Sequence, residues 1–354
     1  MNATRVLLVG AVALSSLASA QTVRVRVLER HHPRQLELSG PSRHSLLASG
    51  STLEVDGVAV PQPYALPEAV WQLELPGEGA RHYHGSLLVR AVAGELSLVV
   101  TFPLERYVAQ VVAAETTPGT PEEALRAQAV VARSFLLAQG PRHPEADVCD
   151  LAHCQLLLGA GVPAAHRAAA RAAAKATRGQ VLVLGDGTIA ETPFHAACGG
   201  HTGKPEEVFG SLATGAAAVE DSGCPVQPWE ARVPLSLFRA ALGALLGTPG
   251  APLLTPEALV SLLGEGGYVL RVLAPPGRSA SGDAVARALD RALGWGAVRS
   301  GRFQLVADGE VVRVRGTGLG HGLGLCQAGA ALRAARGDSY QSILRHYFPL
   351  ASLR

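Results

Sequence analysis

LERYVAQVVAAE at 104–115, followed by TTPGT at 116–120 and PEEALRAQAVVARSF at 121–135, is the stretch on which the fold turns. Leu104, Tyr107, Val108, Val111, Val112 and Glu115 recur at helical spacing, so the pattern predicts a helix whose apolar stripe is closed by a carboxyl. Pro118 and Gly119 end it. A second helix is announced by Thr120 as N-cap, Pro121 in the first turn and Glu123 three residues after the cap, the arrangement of a capping box. Its stripe runs through Leu125, Gln128, Ala129, Ala132 and Leu136, with Arg133 one position off. Polar groups on a core stripe need partners, so Gln128 and Arg133 either brace the loop after Glu115 or reach a ligand. For Glu115 itself, burial disfavours the charged form and raises the pKa, as a general acid near neutrality requires. A helix-end Glu turned into solvent is the alternative.

Working outward, the chain from Val23 to about Thr101 has a period of two, with Val23, Val25 and Val27 alternating against Arg24 and Arg26, and further strands at Ser86–Arg90 and Glu95–Thr101. Beyond the helix pair comes an Ala-rich helix, Pro163 to Thr177, closed by Gly179. Strands are expected at Gln180–Leu184 and Ile189–His195, short broken helices from Pro234 to Gly294, and a polar loop at Arg278–Asp283. A hairpin about Asp308-Gly309 follows, then a helix from Gln327 to Arg336 and a last one capped by Ser339. The expectation is an α+β chain divided into a leader (1–20), a β-rich region (21–100), a core holding the helix pair (101–233), a mixed helical segment (234–300) and a C-terminal part of the same core fold (301–354).

Composition narrows the class. Of 354 residues, 48% are hydrophobic and 17% charged, which supplies a sizeable core and excludes disorder across the chain. A net charge of +2 offers no field for a polyanion, which argues against nucleic acid as partner. The cationic residues are almost all Arg, which reads as a composition habit. Arg5, the apolar run Val6–Leu14 and Ala18-Ser19-Ala20 have the form of a signal peptide cut after Ala20. The run is too short to span a bilayer and no later segment is long and apolar enough. The mature chain is therefore expected to be exported, to a periplasm, a wall or the outside.

Export permits disulfides. His143, Cys149, His153 and Cys154 fall in one loop, HPEADVCDLAHC, as a compact zinc set with four protein ligands and no open position, or as a Cys149–Cys154 disulfide with bystander histidines. In FHAACGGHTG (194–203), Cys198 could act as a nucleophile beside His195 or His201, but with Cys224 downstream in an exported chain a Cys198–Cys224 disulfide is the expectation. GTGLGHGLGLCQ (316–327) has glycine at every second position. In an extended segment this strips one face for a ligand or another strand, and packing alone could also explain it. Its offsets fit neither a dinucleotide fingerprint nor a P-loop.

These five motifs, in this order from about Tyr83 to the C-terminus, resemble the SpoIID/LytB family (stage II sporulation protein D and amidase enhancer). The resemblance implies an exported protein acting on peptidoglycan, whose best-understood members are lytic transglycosylases cutting glycan strands stripped of stem peptides. It places the catalytic acid on Glu115 and substrate contacts on Gln128, Arg133, His195, His201, Thr202, His321 and Gln327, in a cleft lined by the glycine-rich loops. It favours structural zinc at His143, Cys149, His153 and Cys154. The implied partners are the glycan strand and, if the chain enhances rather than cuts, a cell-wall amidase. Two departures stand out: Thr116-Thr117 where the family has a Met-Pro-like pair, and Cys326 where it has Ser.

Overall fold

Alternation in the N-terminal third builds one large sheet. The computed structural model describes residues 21–77, 79–210, 214–247 and 254–354, so the expected signal peptide lies outside the described residues. Strands β1 (Thr22–Val27), β2 (Gln35–Ser39), β3 (Arg43–Ser49), β4 (Thr52–Val55), β5 (Val58–Ala59), β6 (Tyr64–Leu75), β7 (Gly79–Val92) and β8 (Glu95–Pro103) lie in the order β5-β4-β3-β2-β6-β7-β8-β1, all antiparallel. A two-residue strand, β9 (Val148–Cys149), adds to β1 in parallel and ends the sheet. Val23, Val25 and Val27 point into the core while Arg24 points out, as the period of two requires. The sheet curls so that β3 and β4 come over β7 and β8, and the Gly94 N–H donates to Gly50 O at 2.7 Å across the gap.

β8 runs straight into α1 (Leu104–Glu115), which packs with α2 (Glu122–Gln139) and α3 (Ala164–Ala176) against the sheet. The predicted helices appear, but the capping box does not form. Pro121 occupies the N-cap position without a side-chain cap, and the Thr120 hydroxyl donates to Thr117 O at 2.7 Å. Glu123 instead accepts from the Tyr340 N–H at 2.7 Å, an orphan donor at the start of the last helix, and pairs with Arg126.

The second half comprises β10 (Leu182–Val183), β11 (Phe194–His195), α4 (Pro205–Phe209), β12 (Pro228–Pro234), α5 (Leu235–Leu246), β13 (Val260–Leu263), β14 (Val269–Ala274), β15 (Arg278–Ser281), α6 (Gly282–Leu293), β16 (Phe303–Asp308), β17 (Val311–Thr317), β18 (Leu325–Cys326), α7 (Gln327–Ala335), α8 (Tyr340–Tyr347) and β19 (Ser352–Leu353). Small sheets β12-β17-β16 and β13-β14-β15 and the pairs β10-β19 and β11-β18 tie them together. The expected polar loop at 278–283 is in fact β15 and the start of α6, because Ser281 caps that helix by accepting from Ala284 N at 3.2 Å. The hairpin is present, with Gly309-Glu310 as its two-residue turn since Asp308 pairs with Val311. The Ile189–His195 strand shrinks to β11. The α+β class holds, with helices and strands interleaved through both halves.

Three cores result. The first lies within the curled sheet under α1 and α3, the second between α2, α7 and α8, and the third between β12, β16, β17, α5 and α6. Helix α2 belongs to two of them: Leu125, Ala129, Ala132 and Leu136 face the first, Ala127, Val130 and Val131 the second. Arg133 on this helix is fully buried; its guanidinium donates to both Glu105 oxygens (3.0 and 2.6 Å) and to the carbonyls of Gln180 (3.0 Å) and Ala174 (3.3 Å). Replacing it by Met should leave these acceptors unpaired and cost about 3 kcal/mol of unfolding free energy in a urea titration. Arg133→Lys should recover only part of that, because an ammonium cannot match the forked geometry.

Candidate active site

Glu115 sits where the stripe of α1 runs out. Leu104, Tyr107, Val108, Val111 and Val112 are buried as the spacing predicts, and the helix ends at Thr116, whose hydroxyl donates to Val112 O at 2.6 Å. His166 of α3 braces that end, its Nε2 3.1 Å from both the hydroxyl and the carbonyl of Thr116. The Glu115 carboxyl is partly buried and accepts one hydrogen bond, from the Leu156 N–H at 2.6 Å. Burial drives its pKa from 4.5 to about 6, and the Leu156 bond opposes the shift without cancelling it.

Leu156 is placed by the loop before it. Cys149 lies on β9 against Arg26 of β1, between two carboxylates that take hold of that strand. Asp147 accepts from Arg24 N at 2.8 Å and from its guanidinium at 2.9 Å, while Asp150 accepts from Leu28 N at 2.7 Å. The loop brings His143 Nε2 to 3.3 Å from Cys154 Sγ, and His153 Nε2 to 3.3 Å from Cys149 Sγ, with the sulfurs 3.6 Å apart. Tetrahedral zinc with ordinary bond lengths has S···N edges of about 3.5 Å and S···S edges of about 3.8 Å, so the set fits that ion. The four ligand atoms lie within 4.8 Å of one another, and both cysteines are buried. The Cys149 thiol, donating to Cys154, lowers the latter's pKa. Past Cys154, Gln155 accepts from the Tyr107 hydroxyl at 2.9 Å and donates to Ala132 O at 3.1 Å, which fixes the chain as it reaches Glu115.

A groove of about 790 Å³ runs between β7, α1 and α3. Ala113 and Ala114, the two residues before Glu115, form part of its wall, as do Leu158–Val162 beyond Leu156. Its rim is cationic: Arg167, Arg171, Lys175 and Arg178 follow one another by four, four and three positions on and just past α3, with Arg106 opposite. Glu105 is the one acid on this wall among the described residues, and it is held by Arg133. The helical spacing of those cations was visible in the sequence, but an Arg bias in composition hides it.

The glycine-rich loops lie elsewhere. They zip to each other, with Ala197 and Leu319 exchanging N–H···O bonds (3.1 and 2.8 Å) and β11 pairing with β18. The run 316–324 is not extended: Gly318, Gly320, Gly322 and Gly324 all have positive φ, and at Gly322 a Cβ would enter the Tyr268 ring. His321 lines a separate hollow of about 200 Å³ with Asp283, Arg287 and Asp290 of α6. The cleft expected between the Glu115 segment and these loops is thus not the groove beside α1. Burial holds His195 neutral, its pKa lowered to about 3, and that of His321 is lowered to about 4. His195 Nδ1 bonds Leu323 O at 3.0 Å. The Thr202 hydroxyl accepts from Val219 N at 2.8 Å and donates to Ala217 O, so it anchors its own loop, and His201 Nδ1 is committed to Thr202 O at 2.7 Å. Gln327 donates to Gln128 across α7 and α2 at 3.4 Å. Arg133, expected to meet substrate, has its donors taken up inside the protein. The expected Cys198–Cys224 disulfide is not formed in this structure: both are free thiols, and Cys326 lies beside them, its sulfur 3.5 Å from that of Cys224.

Residues 92–184, which carry α1, α2, the His/Cys loop and α3, match the family model described as Stage II sporulation protein. Among curated proteins, the stage II sporulation protein D of Bacillus subtilis is 26% identical over 71% of this chain and 74% of its own length. An uncharacterized protein of Brachyspira hyodysenteriae is 28% identical over 75% of this chain and 70% of its own. The amidase enhancer of B. subtilis is 52% identical over 40 residues, 11% of this chain and 6% of its own. Residues 92–184 thus carry a SpoIID domain, and the chain is similar to members of the SpoIID/LytB family.

The SpoIID segment contains Glu115, Gln128, Arg133 and the four His/Cys residues, whereas His195, His201, Thr202, His321 and Gln327 lie outside it. Within it, the environment of Glu115 makes a prediction about stability. A carboxyl whose pKa is higher folded than unfolded costs stability above the folded value and nothing below the unfolded one. Glu115→Gln, which keeps an acceptor for Leu156 N–H, should therefore be more stable than the parent above pH 6, by at most about 2 kcal/mol. The two proteins should converge below about pH 4.5 when their unfolding is followed across pH.

Proposed function

We propose that this protein is a peptidoglycan lytic transglycosylase with Glu115 as its single acid and base. Its SpoIID domain and its likeness to stage II sporulation protein D and an amidase enhancer support a cell-wall role. The finer reading is carried by one observation: a partly buried carboxyl, its pKa near 6, at the end of α1 with one backbone donor. Protonated, Glu115 donates to the glycosidic oxygen between C1 of N-acetylmuramic acid and O4 of N-acetylglucosamine. The C1–O4 bond breaks and O4 leaves with the proton. The resulting carboxylate then takes the proton from the muramyl C6 hydroxyl as its oxygen closes on C1, which yields a 1,6-anhydro end and returns Glu115 to its acid form. No water is consumed.

The cationic groove supports the same reading. A strand stripped of peptides still carries one lactyl carboxylate per disaccharide, and Arg171, Lys175 and Arg178, exposed and without an ion pair among the described residues, could follow it along α3. Zinc, held by His143, Cys149, His153 and Cys154, would supply structure: four protein ligands leave no position for substrate, and the loop sets the Leu156 N–H on Glu115. Export by the segment at 1–20 would bring the protein to this substrate.

Incubation with peptide-free glycan, read by mass spectrometry, should show anhydro-muramyl ends. Glu115→Gln should lower the rate by about 10²–10⁴-fold, and the rate of the parent should fall as pH rises through about 6, where the acid form is lost. Undiminished cleavage by Glu115→Gln overturns the assignment. Arg171→Glu with Lys175→Glu should raise KM with little change in kcat. The likeness to an amidase enhancer supports a second reading, in which no anhydro ends form and an added wall amidase is stimulated instead.

A further inference from the structure

The three cysteines of the C-terminal half meet in one place, together with a buried acid. Cys198 follows β11, Asp221 and Cys224 lie in the loop leading to β12, and Cys326 is the N-cap of α7. All four are buried, and their ligand atoms lie within 4.8 Å of one another. The Cys224 and Cys326 sulfurs are 3.5 Å apart, and the Cys198 sulfur is 3.5 Å from Asp221 Oδ2. We propose that Cys198, Asp221, Cys224 and Cys326 form a second zinc site, separate from the His/Cys loop.

The donor set suits the ion. Zinc bonds of about 2.3 Å to sulfur and 2.0 Å to oxygen give tetrahedral edges of about 3.8 Å between sulfurs and 3.5 Å from sulfur to oxygen, close to those observed. A disulfide serves the cluster less well, because three thiols cannot all pair and every pairing leaves a buried thiol beside a buried carboxylate. Asp221 makes no ion pair among the described residues; its carboxylate accepts from the Tyr347 hydroxyl at 2.8 Å and from the Cys198 thiol. A charge so placed calls for a cation.

The surroundings are those of a thiolate site. The Cys198 and Gly329 N–H groups both donate to Cys326 Sγ at 3.3 Å, the latter from the first turn of α7. Gly329 has to be glycine, since a Cβ would collide with Asp221 Oδ2 and the Tyr347 hydroxyl. Tyr347 then orients the carboxylate as an outer-shell donor. With four protein ligands the site is closed and structural. It would staple three segments distant in sequence at the point where the glycine-rich loops meet α7 and α8.

The test is zinc content of the mature chain, with alkylation of its thiols under denaturing conditions and mass analysis. The parent should hold two zinc ions per chain and, once chelated and denatured, give five alkylated cysteines. Cys154→Ser and Asp221→Asn should each reduce the zinc, the first by one equivalent and the second by one or by a markedly faster loss to a competing chelator. Cys326→Ser should lose one equivalent and keep that of the other loop. Cobalt(II) in place of zinc should give the near-ultraviolet thiolate band in Cys154→Ser, where only the second site remains. The proposal is overturned if the parent carries one zinc that Cys154→Ser abolishes, or if two of Cys198, Cys224 and Cys326 resist alkylation as a disulfide. Should Cys326→Ser not fold, the parent's zinc and thiol counts and Asp221→Asn still decide.

Discussion

Helix α2 is packed on two faces along most of its length. One face packs into the curled sheet with α1 and α3, the other under α7 and α8, so Ala and Val fill positions where a surface helix would carry charge. That double burial sets what its polar residues can do. Arg133 has to be satisfied within the protein, and the forked contact with Glu105 plus two carbonyls from the end of α3 and the segment after it satisfies it. The same contact fixes α1 against α2, and α1 carries Glu115. The position of Glu115 thus depends on a cation whose donors are all taken up inside the protein.

The environment of Glu115 is built by long-range contacts. Its one hydrogen-bond donor comes from a loop clamped to strand β1 and the residue after it by Asp147 and Asp150, and its helix end is held by a histidine from α3. Burial without an ion pair is what lifts its pKa, which is the chemistry a single-acid mechanism needs. The groove beside it takes its charge from a cationic line on α3. Sheet edge, loop and two helices therefore converge on one carboxyl.

Much of this was legible before any coordinates. The helical stripe of α1, the alternation of β1, the Ala-rich helix and the hairpin after Phe303 were all local patterns, and all appear. The grouping of His143, Cys149, His153 and Cys154 was legible because its four members lie within twelve residues, and the structure brings their ligand atoms within 4.8 Å of one another. The failures have a common cause. Glu123 signalled a cap by spacing but found a better donor at Tyr340, 217 residues away. The alternating glycines suggested an extended strand, yet left-handed backbone and the Tyr268 ring explain them. Cys198 and Cys224 made a plausible pair only while Cys326 was out of view.

Periodicity thus settles most of the elements and puts Glu115 at the end of α1, because it depends on neighbours within a few turns. Which polar residues face a cleft and which are consumed by the frame is a different matter. Gln128, Arg133, His195 and Thr202 look the same in a sequence whether they bind a sugar or a backbone carbonyl. A buried polar group takes whatever partner the packing brings to it, and that partner comes from the far end of the chain. The meeting of Cys198, Asp221, Cys224 and Cys326 is of this kind: only the folding of three distant segments onto one another brings three thiols and a carboxylate within a metal's reach.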